Sequence, residues 1–266
     1  MIDVTRTPTA ELLLCFDFDG TMHHPAASPT IAPELWDLLG TLRAARGAFW
    51  GINTGRSLPH LIEGLEESSA PSSPDFIVAR EREIYFPDGI GGWQPDRDWN
   101  DACELAITQL LAESDNMMIQ IRSLVEERTG AEWLELPGEP AGMISRTEEE
   151  MAWIVEQVES IVPAGSLLGW QRNSIYLRFG HRAYQKGSSL ARVANHFQLM
   201  SKQVFAIGDS HNDLEMLQRD VADMIACPAN SVAEIAWHVK DQGGYLCKKS
   251  HSHGAVEALR HFFPNG

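Results

Sequence analysis

Residues 12–22 read LLLCFDFDGTM. Five apolar residues run without a break into Asp17 and Asp19, one residue apart, and then into a glycine and a hydroxyl. A continuous apolar run suits a strand buried on both faces, as in a parallel sheet. Open α/β sheets bind ligands at the carboxyl ends of such strands. Side chains alternate along a strand. A strand that stops between Asp17 and Asp19 can nevertheless turn both carboxylates toward one place, and Gly20 permits the turn and a close backbone approach to an anion. Asp-Gly is also a common turn pair, so the rest of the chain has to decide.

The pattern recurs. VFAIGDSHND (204–213) places Asp209 after a second apolar run and follows it with Ser210, Asn212 and Asp213. A third run, FWGINTGRS (49–57), ends in a hydroxyl, a glycine and a cation: Thr54, Gly55 and Arg56. Lys186 opens a helical stretch, KGSSLARVANHFQL. Carboxylates delivered by two strand ends make a site for a hard cation, and magnesium takes oxygen ligands while sharing its shell with a substrate phosphate. Hydroxyl, lysine and metal together suit the three oxygens of a phosphoryl group.

Around these motifs, apolar runs alternate with helical periodicity, which predicts a layered α/β fold with a Rossmann-like parallel sheet. Helices are expected from Pro33 and from Leu58, a third strand at DFIVARE, and later a helix at NDLEMLQRD, a strand at MIACP and helices at SVAEIAWHV and GAVEALRHFF. Between them the texture changes. EIYFPDGIGGWQPD reads as a hairpin and WNDACELAITQLLAES (99–114) as a helix, the segment as a whole as helix-plus-hairpin twice over, with Asn173 and Ser174 near the last turn. The expected organisation is a core of residues 1–82 and 184–266 interrupted by an inserted α+β domain, 83–183.

The chain has 266 residues, 44% of them hydrophobic, enough for a sizeable core. A net charge of −16 argues against a broad nucleic-acid or anionic-membrane surface. No apolar run reaches the ~18 residues of a membrane span, and MIDVTRTPTAE carries no signal-peptide pattern. Four scattered cysteines without a CxxC predict neither a zinc site nor a disulfide framework. A reduced, cytoplasmic protein is expected, as a monomer or small homo-oligomer.

DFDGT, the strand-end Thr54, Lys186 and GDSHND resemble, in order, the four motifs of the haloacid dehalogenase superfamily. The resemblance implies a magnesium-dependent aspartyl-phosphate mechanism. Asp17 would be the nucleophile and Asp19 the general acid and base. Thr54 and Lys186, with the backbone around Gly20 and Gly55, would hold the phosphoryl group. Asp17, the Asp19 carbonyl and Asp209 would ligate magnesium, with Asp213 in the same cluster. The presence of Asp19 favours phosphate-ester chemistry. About 130 residues separate Thr54 from Lys186, so a lid would lie between motifs two and three, an arrangement that resembles the C2B cap. TGRS, EIYF and KGSSL resemble Cof-like and sucrose-phosphate phosphatase-like members. The implied substrate is a small phosphorylated metabolite, a sugar phosphate by that likeness. A phosphomutase of the phosphomannomutase type, or a non-catalytic phosphometabolite-binding protein, are the alternatives.

Other residues are weighed by chemistry. Arg56 follows motif two and can reach a substrate or pair with a carboxylate. Asn230 matches a position near the active site in related sequences, or caps the helix after it. Arg172 is taken as substrate-binding, with Gln171, Asn173, Arg178, Arg146 and Trp170 as further polar or aromatic groups of the inserted segment. His23, His24, His251 and His253 read as solvated loop residues, and His211 as part of a helix start.

Overall fold

The computed structural model describes residues 11–135 and 140–264. The sequence reading of Met1–Ala10 lies outside these. The chain divides into two compact units. One holds the chain up to Asp96, Lys186–Asp209 and everything from Asp213 onward; the other holds Arg97–Gln185 with Ser210–Asn212.

The first unit begins with β1 (Leu12–Phe16), every residue of which is buried. Helix α1 (Pro33–Arg46) starts on Pro33, whose ring fixes the first-turn φ, and stops at Gly47 in the left-handed region. β2 (Ala48–Asn53), α2 (Leu58–Glu67) and β3 (Phe76–Ala79) follow. β4 (Glu83–Pro87) and β5 (Trp93–Pro95) then pair antiparallel beyond β3. This is the hairpin expected from EIYFPDGIGGWQPD. It extends the first sheet, because β4 pairs with β3 and Tyr85 and Trp93 pack on the core of that unit, so the observed junction falls after Asp96 where the expected one was 83.

The second unit opens on α3 (Arg97–Arg128), twice as long as its apolar pattern suggested. β6 (Glu132–Leu134), β7 (Gly142–Ile144), α4 (Glu148–Ile161), β8 (Leu168–Asn173) and β9 (Tyr176–His181) complete it. Its antiparallel sheet runs β6-β7-β9-β8. Met143, Leu168, Leu177 and Phe179 meet Leu110, Val125, Ile154 and Val158 of the two helices in a separate core. The Thr147 hydroxyl caps α4 by accepting the Glu150 N–H at 3.1 Å.

The chain returns to the first unit at α5 (Lys186–His196), β10 (Val204–Ile207), β11 (Met224–Cys227), α6 (Ala233–Asp241), β12 (Tyr245–Leu246) and α7 (His251–Phe262). The sheet order is β12-β11-β10-β1-β2-β3-β4-β5, parallel from β12 to β3. NDLEMLQRD is not the expected helix. It is a series of turns, and the Asp213 side chain bonds to Lys186 and to the Asp209 N–H. The edge strand β12 has only two residues and escapes a periodicity reading. All four cysteines are free and buried. No helix of the described residues is long and apolar enough to cross a membrane.

β1 is central, and its Leu14 is fully buried among residues of both neighbouring strands. Leu14→Ala is expected to cost about 2–5 kcal/mol, read as a lower midpoint in denaturant at unchanged slope.

Candidate active site

Register positions the site. β1 sets Phe16 beside Ile207 of β10 on one side and Ile52 of β2 on the other. The residues that follow, Asp17, Gly208 and Asn53, therefore stand at one level, in strands ~5 Å apart, with Asn53 still paired to Val78 of β3. The Asp17 N–H still reaches the Ile207 carbonyl at 3.0 Å, so the ladder extends one residue past β1 and holds the aspartate at its edge.

Lys186 lies at the centre and is fully buried. Its Nζ stands 2.6 Å from Asp17 Oδ1 and 2.6 Å from Asp213 Oδ1. Burial opposes its charge, and Asp17 and Asp213 more than reverse that, so its pKa lies above the ordinary lysine value. Lys186 is itself anchored: Asn53 Nδ2 donates to its carbonyl at 2.9 Å, tying the start of α5 to the end of β2. The second oxygen of Asp213 accepts the Asp209 N–H at 2.8 Å. Asp209 Oδ1 accepts the Thr21 hydroxyl at 2.6 Å. Gly20 has φ 86, and a Cβ there would collide with the Asp209 carboxylate, so the turn after Asp19 needs glycine on two counts.

Ligand oxygens of Asp17, Asp209 and Asp213 lie within 4.8 Å of one another. Three carboxylates face one ammonium, which leaves an excess of negative charge in a buried place. Burial, against the opposing pull of Lys186 and with Asp213 and Asp209 adding to it, pushes the Asp17 carboxyl well above the ordinary aspartate range. Burial and Asp213 likewise raise Asp209 to about 7. An all-oxygen donor set with surplus charge fits a hard divalent cation, which removes that repulsion.

Asp19 is exposed beside this cluster, and Arg56 grips it in a two-pronged ion pair, Nε to Oδ2 at 2.7 Å and Nη2 to Oδ1 at 2.6 Å. That hydrogen bond raises the Arg56 pKa. The guanidinium also lies over the Phe18 ring, 4.8 Å from its centroid. Thr54 is buried; its hydroxyl accepts the Arg56 N–H at 3.2 Å and its N–H bonds to the Val78 carbonyl at 2.9 Å. Gly55 lies between them, with the Glu81 carboxylate packed over it.

Asp17, Asp19, Thr54, Lys186, Asp209 and Asp213, with Gly20, Gly55 and Arg56, thus meet within one unit. Asn230 joins them through the Gly20 carbonyl, to which its Nδ2 donates at 2.8 Å. Arg172 belongs to the other unit and makes local bonds there, to the carbonyls of Ser174 at 2.9 Å and Glu148 at 3.3 Å. Arg146 pairs with Glu150, and Trp170 packs on its unit's core beneath Arg182. His23 is not a solvated loop residue: its ring is buried flat on Phe18, 4.9 Å between centroids, and burial lowers its pKa. His251 is not in a loop either but begins α7, partly buried. Sequence reasoning also missed Glu81, a buried acid at φ 68 whose N–H bonds to the Thr54 carbonyl at 2.8 Å. The one signal was a charged stretch, AREREI, directly after an apolar strand.

The sequence matches a family model described as haloacid dehalogenase-like hydrolase over residues 132–258, a span that includes Lys186, Asp209 and Asp213 and leaves out Asp17 and Asp19. A phosphoglycolate phosphatase of Methanosarcina acetivorans is 35% identical over 81 residues, 30% of this chain; the match spans a third of that relative's length. Among solved structures, the sucrose-phosphatase of Synechocystis sp. PCC6803, in complex with sucrose and phosphate, superposes with a TM-score of 0.70 at 18% identity, over 95% of this chain and 98% of that one. A haloacid dehalogenase-like hydrolase of Bacillus subtilis gives 0.62 at 16% identity, over 97% and 94%. A subclass IIB sugar phosphatase of the same superfamily gives 0.63 at 15%, over 94% and 98%.

An aspartate whose folded pKa lies above its unfolded value of 3.8 keeps its proton longer in the native state. The stability this gives is complete below about pH 4 and is lost as pH rises through about 7. Without divalent cations, the melting temperature should therefore fall between pH 5 and pH 8. Magnesium should restore it, with a larger increment at pH 8 than at pH 5. An increment equal at both pH values would separate the cation from these carboxylates.

Proposed function

We propose, from the family match over residues 132–258 and the likeness of fold, that the chain is a haloacid dehalogenase-like protein and a magnesium-dependent phosphatase of a small phosphorylated metabolite, a sugar phosphate by preference. The observation that carries this is the Asp17 carboxylate, held at the end of β1 by the buried Lys186 ammonium at 2.6 Å. A carboxylate is a weak nucleophile whose power depends on alignment and on cancelled repulsion from the phosphate. Lys186 supplies both.

In this reading an Asp17 oxygen attacks phosphorus and the ester P–O bond breaks. Asp19 gives its proton to the departing oxygen, then takes one from the water that attacks the aspartyl-phosphate, releasing inorganic phosphate and restoring Asp17. Arg56 orients the Asp19 carboxylate between these steps. Thr54 and the backbone at Gly20 and Gly55 donate to phosphoryl oxygens. Asp17, Asp209 and the Asp19 carbonyl would hold magnesium, with Asp213 supporting the same cluster through water or through its bonds to Lys186 and the Asp209 N–H; the ion would supply charge neutralisation for the phosphoryl oxygens. The sugar preference is supported by the names of two structural neighbours, a sucrose-phosphatase and a sugar phosphatase.

Phosphate release from a panel of mono- and disaccharide phosphates and small phosphorylated acids, with and without chelator, tests the proposal. Release is expected only with magnesium. Isomerised sugar phosphate without net release would replace it with a mutase. Asp17→Asn should lower kcat by roughly three orders of magnitude or more, with substrate binding retained; a variant that keeps a substantial fraction of the rate removes Asp17 as the nucleophile.

A further inference from the structure

Two distant segments converge on one carbonyl. The Gly20 oxygen accepts from Asn230 Nδ2 at 2.8 Å and lies 2.9 Å from His251 Nδ1. The His251 N–H donates to Asn230 Oδ1 at 2.8 Å, so the residue that approaches the carbonyl also orients the amide beside it. His251 pays for this with φ 50, a left-handed backbone uncommon outside glycine. Its ring lies nearly flat on His24, with centroids 4.2 Å apart and planes 14° apart. His24 is fixed in turn by its N–H to the Thr30 carbonyl at 2.9 Å. A carbonyl oxygen only accepts, so Nδ1 of His251 carries a proton.

Two donors, a ring stack and a strained backbone thus act on a single peptide plane. That plane joins Gly20 to Thr21. In a trans peptide the carbonyl and the next N–H point to opposite sides, so fixing the Gly20 oxygen also sets the direction of the Thr21 N–H. Thr21 is the residue whose hydroxyl holds Asp209, and Gly20 is the residue packed on the Asp209 carboxylate. We propose that His251, backed by the His24 ring, is a positioning residue for the Asp19–Gly20–Thr21 turn. The catalytic consequence rests on the phosphatase reading; the positioning itself does not.

Two substitutions separate the contacts. His251→Phe keeps the stack and removes the donor. His251→Asn sets an amide nitrogen where Nδ1 stands, accepts a positive φ and removes the stack. On the best substrate of the panel, His251→Phe should lower kcat about tenfold, as a small misplacement of reacting groups does, with KM changed less than about twofold. His251→Asn should restore most of that loss. Independently of activity, long-range proton–nitrogen NMR of the wild-type imidazoles at neutral pH should show His251 as the Nδ1–H tautomer. An Nε2–H tautomer, or a His251→Phe variant with wild-type kcat, or a His251→Asn variant as slow as His251→Phe, overturns the proposal. Should the wild-type protein release no phosphate from any substrate, the phosphatase reading fails and the tautomer alone decides the positioning.

Discussion

One ammonium, Lys186 Nζ, stands between carboxylate oxygens of Asp17 and Asp213 at 2.6 Å each, out of reach of water. A buried charge stripped of its partners costs about 3–5 kcal/mol, so these three residues have to be delivered together. Asp17 comes from β1, Asp213 from the turns after β10 and Lys186 from the start of α5. The parallel pairing of β1 with β10 and the anchoring of α5 on Asn53 are the two conditions that bring them into reach. The same triad explains why NDLEMLQRD abandons its helical pattern: Asp213 spends both its oxygens on Lys186 and on the Asp209 N–H.

The strand ends were legible because buried parallel strands are continuous apolar runs, and polar residues directly after them stand out: Asp17 after LLLCF, Thr54 after FWGIN, Asp209 after VFAIG. The insertion was legible as a change of texture. Its junction was not, because the β4–β5 hairpin has the look of an α+β unit, and it is the pairing of β4 with β3 and the packing of Tyr85 and Trp93 on the core that assign it to the first sheet. A 32-residue helix was read at half its length, since Glu113–Asn116 is a polar stretch that breaks the apolar stripe on paper while α3 runs on through it.

What sequence could not supply was reach across the chain. Arg56 and Asp19 both drew notice, yet their two-pronged ion pair depends on β2 lying beside β1. KKSHSHG looked like a polar loop because His251 faces no local partner; its partners are His24 and Gly20, more than two hundred residues away. Glu81 is buried in a conformation that favours glycine, a position at which propensity argues against a charged residue.

The sheet order also dictates a timetable. β1 has β2 on one side soon after both leave the ribosome, but its other neighbour, β10, lies some 190 residues downstream. At synthesis rates of about 5–20 residues per second, β1 waits roughly ten to forty seconds as an open, wholly apolar edge. Such an edge invites pairing with any other extended chain. Throughout that interval Asp17 exists without Lys186, Asp209 or Asp213. The nascent protein must therefore keep one edge of this fully buried strand open until the last third of the chain arrives to close over it.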